Sequence, residues 1–159
     1  MNKYNNFSRV FTKLGIKKGN IVFVASDITS LIIFFKKKGL NFNLEYFVDS
    51  LIKVVGKKGT LLFPTFNWGF CNGETFDIKN TKSKCGALTN YVLKREEFLR
   101  TKHPIYSFAV YGKYQKFFCN LNNKSAWDKK SPFHYIYTKK AKNLFIGLDY
   151  KKAFTMDHY

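Results

Sequence analysis

The chain has 159 residues, with 28 Lys+Arg against 10 Asp+Glu for a formal charge of +18, and 45% of its residues are apolar. That length fits one domain, residues 1–159, large enough for a real core, and the apolar share excludes a disordered chain despite the charge. No apolar run approaches the ~20 residues that span a bilayer, and the N-terminus has no signal-type apolar segment, so a cytoplasmic protein with no membrane partner is expected.

Phe7, Val10, Phe11 and Leu14 recur at i, i+3, i+4 and i+7, a helical stripe that Gly15 stops. The turn Lys17-Lys18-Gly19-Asn20 leads into Ile21–Ala25, a short β-branched run that reads as a buried strand. Leu31–Phe35 is a second apolar run, to which no element is assigned. Asn43 can cap a helix whose face is Leu44, Phe47, Val48, Leu51, Ile52 and Val55, ended by Gly56. The turn Lys57-Lys58-Gly59 precedes the strand Thr60–Phe63, closed by Pro64. Strand, helix, strand in this order form a β-α-β unit, so the fold class is α/β, a largely parallel central sheet flanked by helices.

From Thr65 to Cys85 periodicity vanishes, and so long an irregular segment is more often a functional loop than filler. Gly86–Lys94 reads as a helix, Ser107–Tyr111 as a strand and Lys113–Cys119 as a short helix. Ser131-Pro132 is a helix start, and Asn143–Gly147 is another apolar strand.

The charge raises the prospect of a nucleic-acid partner. The lysines, however, fall in small groups along the whole chain, such as Lys36–Lys38 and Lys129-Lys130, and arginine, which reads bases bidentately, is scarce. A solvated lysine surface, with attraction of an anionic cofactor as a second use, is favoured over a nucleic-acid groove. Cys71, Cys85 and Cys119 show no CxxC pair, and His103, His134 and His158 lack metal-ligand spacing, so neither a disulfide framework nor a metal site is indicated. Both GxxxxGK[ST] and GxGxxG loops are absent. What remains are hydroxyls just past strands, Ser26 and Thr65, where open parallel sheets bind ligands. His103 stands in the loop Lys102-His103-Pro104, where a capping role competes with a functional one, and His158 is the penultimate residue.

These segments occur in a telling order. Leu14–Asn20, Val24-Ala25-Ser26, Val55–Phe66, Thr75-Phe76-Asp77, Thr81–Leu88, Arg100–Ser107, Ser131-Pro132-Phe133, Phe145–Asp149 and Thr155-Met156-Asp157-His158 together resemble the aminoglycoside 3-N-acetyltransferase family over nearly the whole chain. The resemblance implies an α/β fold, acetyl-coenzyme A as co-substrate, no metal, and acetylation of an amine of an amino sugar or aminoglycoside. It implies that His158, in the T-x-x-H segment, is the catalytic histidine, since a neutral imidazole can take the proton an attacking amine must lose. It also implies that Ser26, Thr65 and Ser107 lie near the cofactor, with His103 a candidate at the substrate or acyl site.

Two departures shape the expectation. Family members place a glutamate three residues beyond that histidine, whereas this sequence stops at Tyr159, and they usually carry His-Ser-Ser where Ala25-Ser26-Asp27 stands. The chain is therefore expected to be the N-terminal portion of the family fold, with little activity alone. The alternative is an inactive fragment or interaction subunit that self-associates or pairs with a separately encoded C-terminal half. With so few acids, a neutral or anionic amino sugar is expected in preference to a polycationic aminoglycoside.

Overall fold

A computed structural model describes residues 6–148 of the chain. Helix α1 (Phe7–Lys13) precedes β1 (Ile21–Ser26), α2 (Thr29–Lys37), α3 (Leu44–Val55) and β2 (Thr60–Pro64). A 3-10 turn (Gly69–Asn72) then leads to α4 (Ala87–Val92), β3 (Leu99–Arg100), β4 (Phe108–Gly112), α5 (Gln115–Asn120), α6 (Pro132–Thr138) and β5 (Lys142–Ile146).

The five strands form one sheet in the order β3-β4-β2-β1-β5. β1 lies parallel to both β2 and β5, whereas β4 runs antiparallel to β2 and to β3. The α/β class with flanking helices stands, but the sheet is mixed rather than largely parallel. Residues 101–107 between β3 and β4 are too few for a crossover, so β4 must return antiparallel.

Strand alternation divides the core in two. Val22 and Val24 of β1, Leu61 and Phe63 of β2 and Ala109 of β4 face α1, α3 and α4. Phe23, Leu62, Phe108 and Val110 point the other way, into an aromatic layer with Phe66, Phe118 and Phe133. There Phe108 and Phe133 meet edge to face at 5.2 Å, and Trp127 stacks on Phe133 at 4.6 Å.

The helix α3 is as its sequence dictates: the Asn43 side chain accepts the Tyr46 N–H at 2.8 Å, and Phe47, Val48, Leu51 and Val55 are buried. The stripe on α1 is only half used, since Phe7 and Phe11 are buried while Val10 and Leu14 are exposed. Leu31–Phe35 lies within helix α2, in which Phe35 is buried and Ile32 and Ile33 are exposed. At α6, Ser131 accepts the His134 N–H and Pro132 occupies the first turn.

Candidate active site

The sheet gathers the hydroxyls that the sequence singled out onto one edge. The carboxyl ends of β1, β2 and β5 share that edge, and antiparallel β4 brings its amino end there. The pairing extends one step past β2, where Thr65 N–H donates to the Ser107 carbonyl at 2.8 Å. Ser26 ends β1 opposite Ile146 of β5. Counting by twos from Val24, Phe63 and Ala109 puts Ser26, Thr65 and Ser107 on the face that carries α1, α3 and α4. This row was set up by three separate strands, so no sequence window contained it.

Thr65 and Ser107 are fully buried, and their hydroxyl oxygens lie 2.9 Å apart. Arg100, 7% exposed, holds them from the third side. Its Nε donates to Ser107 Oγ at 3.0 Å, its Nη2 to the Thr65 carbonyl at 2.8 Å, and its Nη1 to the Thr81 carbonyl in the long loop. The guanidinium also lies 4.9 Å from the centre of the Phe76 ring. Burial pushes its pKa down to about 10, against the pull of Asp77, so it stays charged at neutral pH.

This geometry fixes the protons. Ser107 Oγ accepts from Arg100, so its own hydrogen goes to Thr65, where it finds either the carbonyl at 3.0 Å or the hydroxyl. The Thr65 and Ser107 hydroxyls are thus satisfied by each other, by the Thr65 carbonyl and by Arg100. Ser26 differs: its Oγ is buried from solvent and has no hydrogen-bond partner among the described residues. Of the three hydroxyls, Ser26 is the one with a donor to spare.

Sequence reasoning missed Arg100 as a site residue, although a signal was present. It is one of three arginines among 25 lysines, and it opens Arg100-Thr101-Lys102-His103-Pro104.

His103, 9% exposed, folds the connection between β3 and β4. Its Nδ1 accepts the N–H groups of Ile105 at 3.2 Å and Tyr106 at 3.0 Å, which places the ring proton on Nε2, against the Lys124 carbonyl. Burial lowers its pKa below the ordinary histidine value, outweighing the Lys124 carbonyl and Asp128. Both nitrogens are engaged in this arrangement. His158 lies outside the described residues.

The long loop is closed rather than loose. Lys84 N–H donates to the Phe66 carbonyl at 2.8 Å, and Asn67 reaches across from the Gly69 N–H to the Lys82 carbonyl, both at 2.7 Å. Asp77 organises its tip by accepting from Lys79 N–H and Asn80 N–H. Beside β1, Gly147 (φ +63°) lies so close to the Asp27 carbonyl that a Cβ there would sit 2.1 Å from its oxygen. Burial raises the pKa of Cys119 to about 11 and that of Cys85 above its ordinary value, so neither is a thiolate at neutral pH. Among the described residues no three His, Cys, Asp or Glu side chains come together as metal ligands, and no helix is long and apolar enough to cross a membrane.

The family model for aminoglycoside 3-N-acetyltransferases matches residues 35–159. This chain belongs to that family. The SPbeta prophage-derived aminoglycoside N(3')-acetyltransferase-like protein YokD of Bacillus subtilis is 25% identical over 88% of the chain and 58% of its own length. Two solved acetyltransferases of similar fold add to this. AAC-VIa with sisomicin bound has a TM-score of 0.78 at 21% identity, covering 96% of this chain and 62% of that one. AAC-IIIb in binary complex with CoASH has a TM-score of 0.71 at 16% identity, covering 87% and 57%. The chain thus spans about three-fifths of the length of these relatives.

Proposed function

We propose that this chain supplies the coenzyme-binding edge of an acetyl-coenzyme A-dependent N-acetyltransferase acting on an amine of an amino sugar. The observation that carries the reading is the buried hydroxyl of Ser26 at the carboxyl end of β1, unpartnered among the described residues, in a chain that matches the family from residue 35 to 159. The CoASH complex of AAC-IIIb and the sisomicin complexes of AAC-VIa support the two substrates. In the reaction the amine nitrogen bonds to the acyl carbon, the carbon–sulfur bond breaks, and the thiol leaves with a proton. The His158 imidazole takes the proton that the attacking nitrogen loses. Ser26 contributes a hydrogen bond to the acyl-pantetheine arm, Arg100 keeps Thr65 and Ser107 fixed beside it, and lysines at the rim attract the coenzyme's phosphates.

A second reading, a chain that keeps the fold but needs a partner to complete the cleft, is favoured by the outer side of β5. A groove of about 460 Å³ lies there, lined by Leu14, Ile16, Leu144 and Phe145, and no described strand pairs with that edge.

Titration calorimetry with coenzyme A separates binding from turnover. Ser26→Ala should weaken binding by roughly tenfold, the value of one hydrogen bond to a ligand, while leaving the melting temperature unchanged because that hydroxyl has no partner to lose. With acetyl-coenzyme A as donor, release of free thiol on adding amine, abolished by His158→Ala, is the outcome expected of the enzyme. Coenzyme A binding without thiol release favours the second reading, and no binding by the folded chain overturns the first.

A further inference from the structure

Along the sequence the lysines are scattered, but the fold draws seven of them to one edge of the sheet. Because β1, β2 and β5 are parallel and β4 is antiparallel, three amino ends and one carboxyl end share that edge. Each strand meets it at a lysine turn: Lys17-Lys18 before β1, Lys57-Lys58 before β2, Lys113 after β4 and Lys139-Lys140 before β5. These strands are neighbours in the order β4-β2-β1-β5, and at about 4.8 Å per step the four turns span roughly 15 Å. The main chain ties the turns together. Thr60 N–H donates to the Asn20 carbonyl at 3.0 Å, and Lys113 N–H to the Gly59 carbonyl at 2.9 Å. Lys139 reaches back into the row: its Nζ lies 4.9 Å from the centre of the Tyr114 ring, and Lys113 Nζ lies 5.3 Å from it.

No acid balances this row. Residues 15–20, 56–60, 112–117 and 138–143 contain neither Asp nor Glu, and all seven lysines are exposed. Among the described residues the ion pairs belong to Arg95, which holds Asp49 and Glu97. Like charges gathered without counter-charge repel one another, and a bound polyanion relieves that repulsion. Aromatic rings stand beside them. Phe117 is 38% exposed and Tyr137 68% exposed, on α5, which Lys113 precedes, and α6, which Lys139 follows. Ser26, Thr65 and Ser107 lie at the opposite ends of the same strands, roughly 15 Å away along the five residues of β2. The lysine edge is thus separate from the coenzyme edge.

We infer that the lysine edge binds a phosphodiester polyanion, a single strand of nucleic acid laid across the four turns. Its phosphates meet the lysines, and its bases stack on Tyr137 and Phe117. A duplex keeps its bases stacked inside and makes no use of exposed rings. A narrow row of charge fits a linear polymer better than the plane of a membrane. Lysine meets phosphate as a point charge, and none of the three arginines lies in these turns, so binding is indifferent to base sequence. The inference stands apart from the proposed acetyl transfer and uses none of its residues.

Fluorescence anisotropy of labelled oligo(dT) and oligo(rU) with the full chain tests it. Both should bind, with log Kd rising against log salt at a slope of about 2, from about three phosphates at ~0.7 each. Lys57→Gln with Lys58→Gln, in an exposed turn where folding should be unaffected, should lower that slope by about 1. Lys36→Gln with Lys37→Gln removes the same charge from α2, on the face of the sheet away from α5 and α6, and should leave the slope unchanged. Tyr137→Ala should weaken binding about fivefold with the slope kept, because stacking releases no counterions. The polymer bound more tightly, DNA or RNA, names the source of the strand. Equal losses from the two lysine pairs would reveal a diffuse charge and overturn the inference. So would indifference to Tyr137→Ala, tighter binding to phosphatidylglycerol vesicles, or displacement of the strand by equimolar coenzyme A.

Discussion

At its amino edge the sheet is entered through two lysine-rich turns closed by neighbours: Lys17 N–H donates to Asn20 Oδ1 at 2.8 Å before β1, and Gly59 N–H to the Gly56 carbonyl at 2.9 Å before β2. At its carboxyl edge the polar contacts reach far along the chain, Thr65 to Ser107 across 42 positions and Arg100 to Thr65 across 35. The lysines of the first edge are solvated, and each can be lost without stranding a partner. The hydroxyls, carbonyls and guanidinium of the second are buried, so each depends on the others for its hydrogen bonds. Distance in sequence and depth in the fold go together here, and both make the carboxyl edge the costlier one to disturb.

The largest effect should come from Arg100→Met. It strands the Thr81 carbonyl and leaves Ser107 without its donor, so a loss of about 3 kcal/mol in urea unfolding is expected. Arg100→Lys should recover only part of that, because one ammonium cannot meet three acceptors on three segments. A loss below that of a surface substitution would erase the contrast between the edges.

Gly112→Ala probes a place where the amino edge is also demanding. Gly112 has φ +96°, and a Cβ there would lie 2.2 Å from the Gly59 carbonyl oxygen, a backbone atom that cannot swing away. About 2 kcal/mol of destabilisation is expected, read from the same unfolding curves. It would show that backbone approach, not charge, sets the limits of that edge.

A smaller, pH-dependent effect belongs to His103. Its folded pKa is lowered, chiefly by burial, so the unfolded chain binds its proton first. The His103 contribution is complete above the ordinary histidine pKa of 6.5 and falls away as pH drops from there through the folded value. His103→Asn should flatten that slope in melting temperature against pH; an unchanged slope would mean that the ring is not held neutral in the fold. The smallest effect is expected for Lys57→Gln with Lys58→Gln, within about 0.5 kcal/mol. A larger change would assign those lysines a structural role that their exposure does not suggest.

The legible part of the molecule is its local part. Helix α3 could be read with its cap because Asn43, Glu45 and the apolar face lie within a dozen positions, and β1 and β2 announced themselves as short apolar runs between glycine turns. On α1 the same reasoning overreached: Val10 and Leu14 fit the period, but neither is buried by a neighbouring element. Helix α2 escaped because its apolar run lacks a polar face to give it a period.

The sequence by itself determined the α/β class, the family through its ordered motifs, and Ser26, Thr65, Ser107 and His103 as residues worth locating. Only the tertiary structure decided what each of them can do. Strand direction is set by how long a connection is and where it leads, so β4 turned antiparallel and brought Ser107 against Thr65. Hydrogen-bond capacity is then shared among whatever the fold brings together. Arg100 saturates that pair, two main-chain donors engage His103, and Ser26 is left with a hydroxyl to offer. Which donors remain unspent is a property of three-dimensional neighbours, and no spacing along the chain records it.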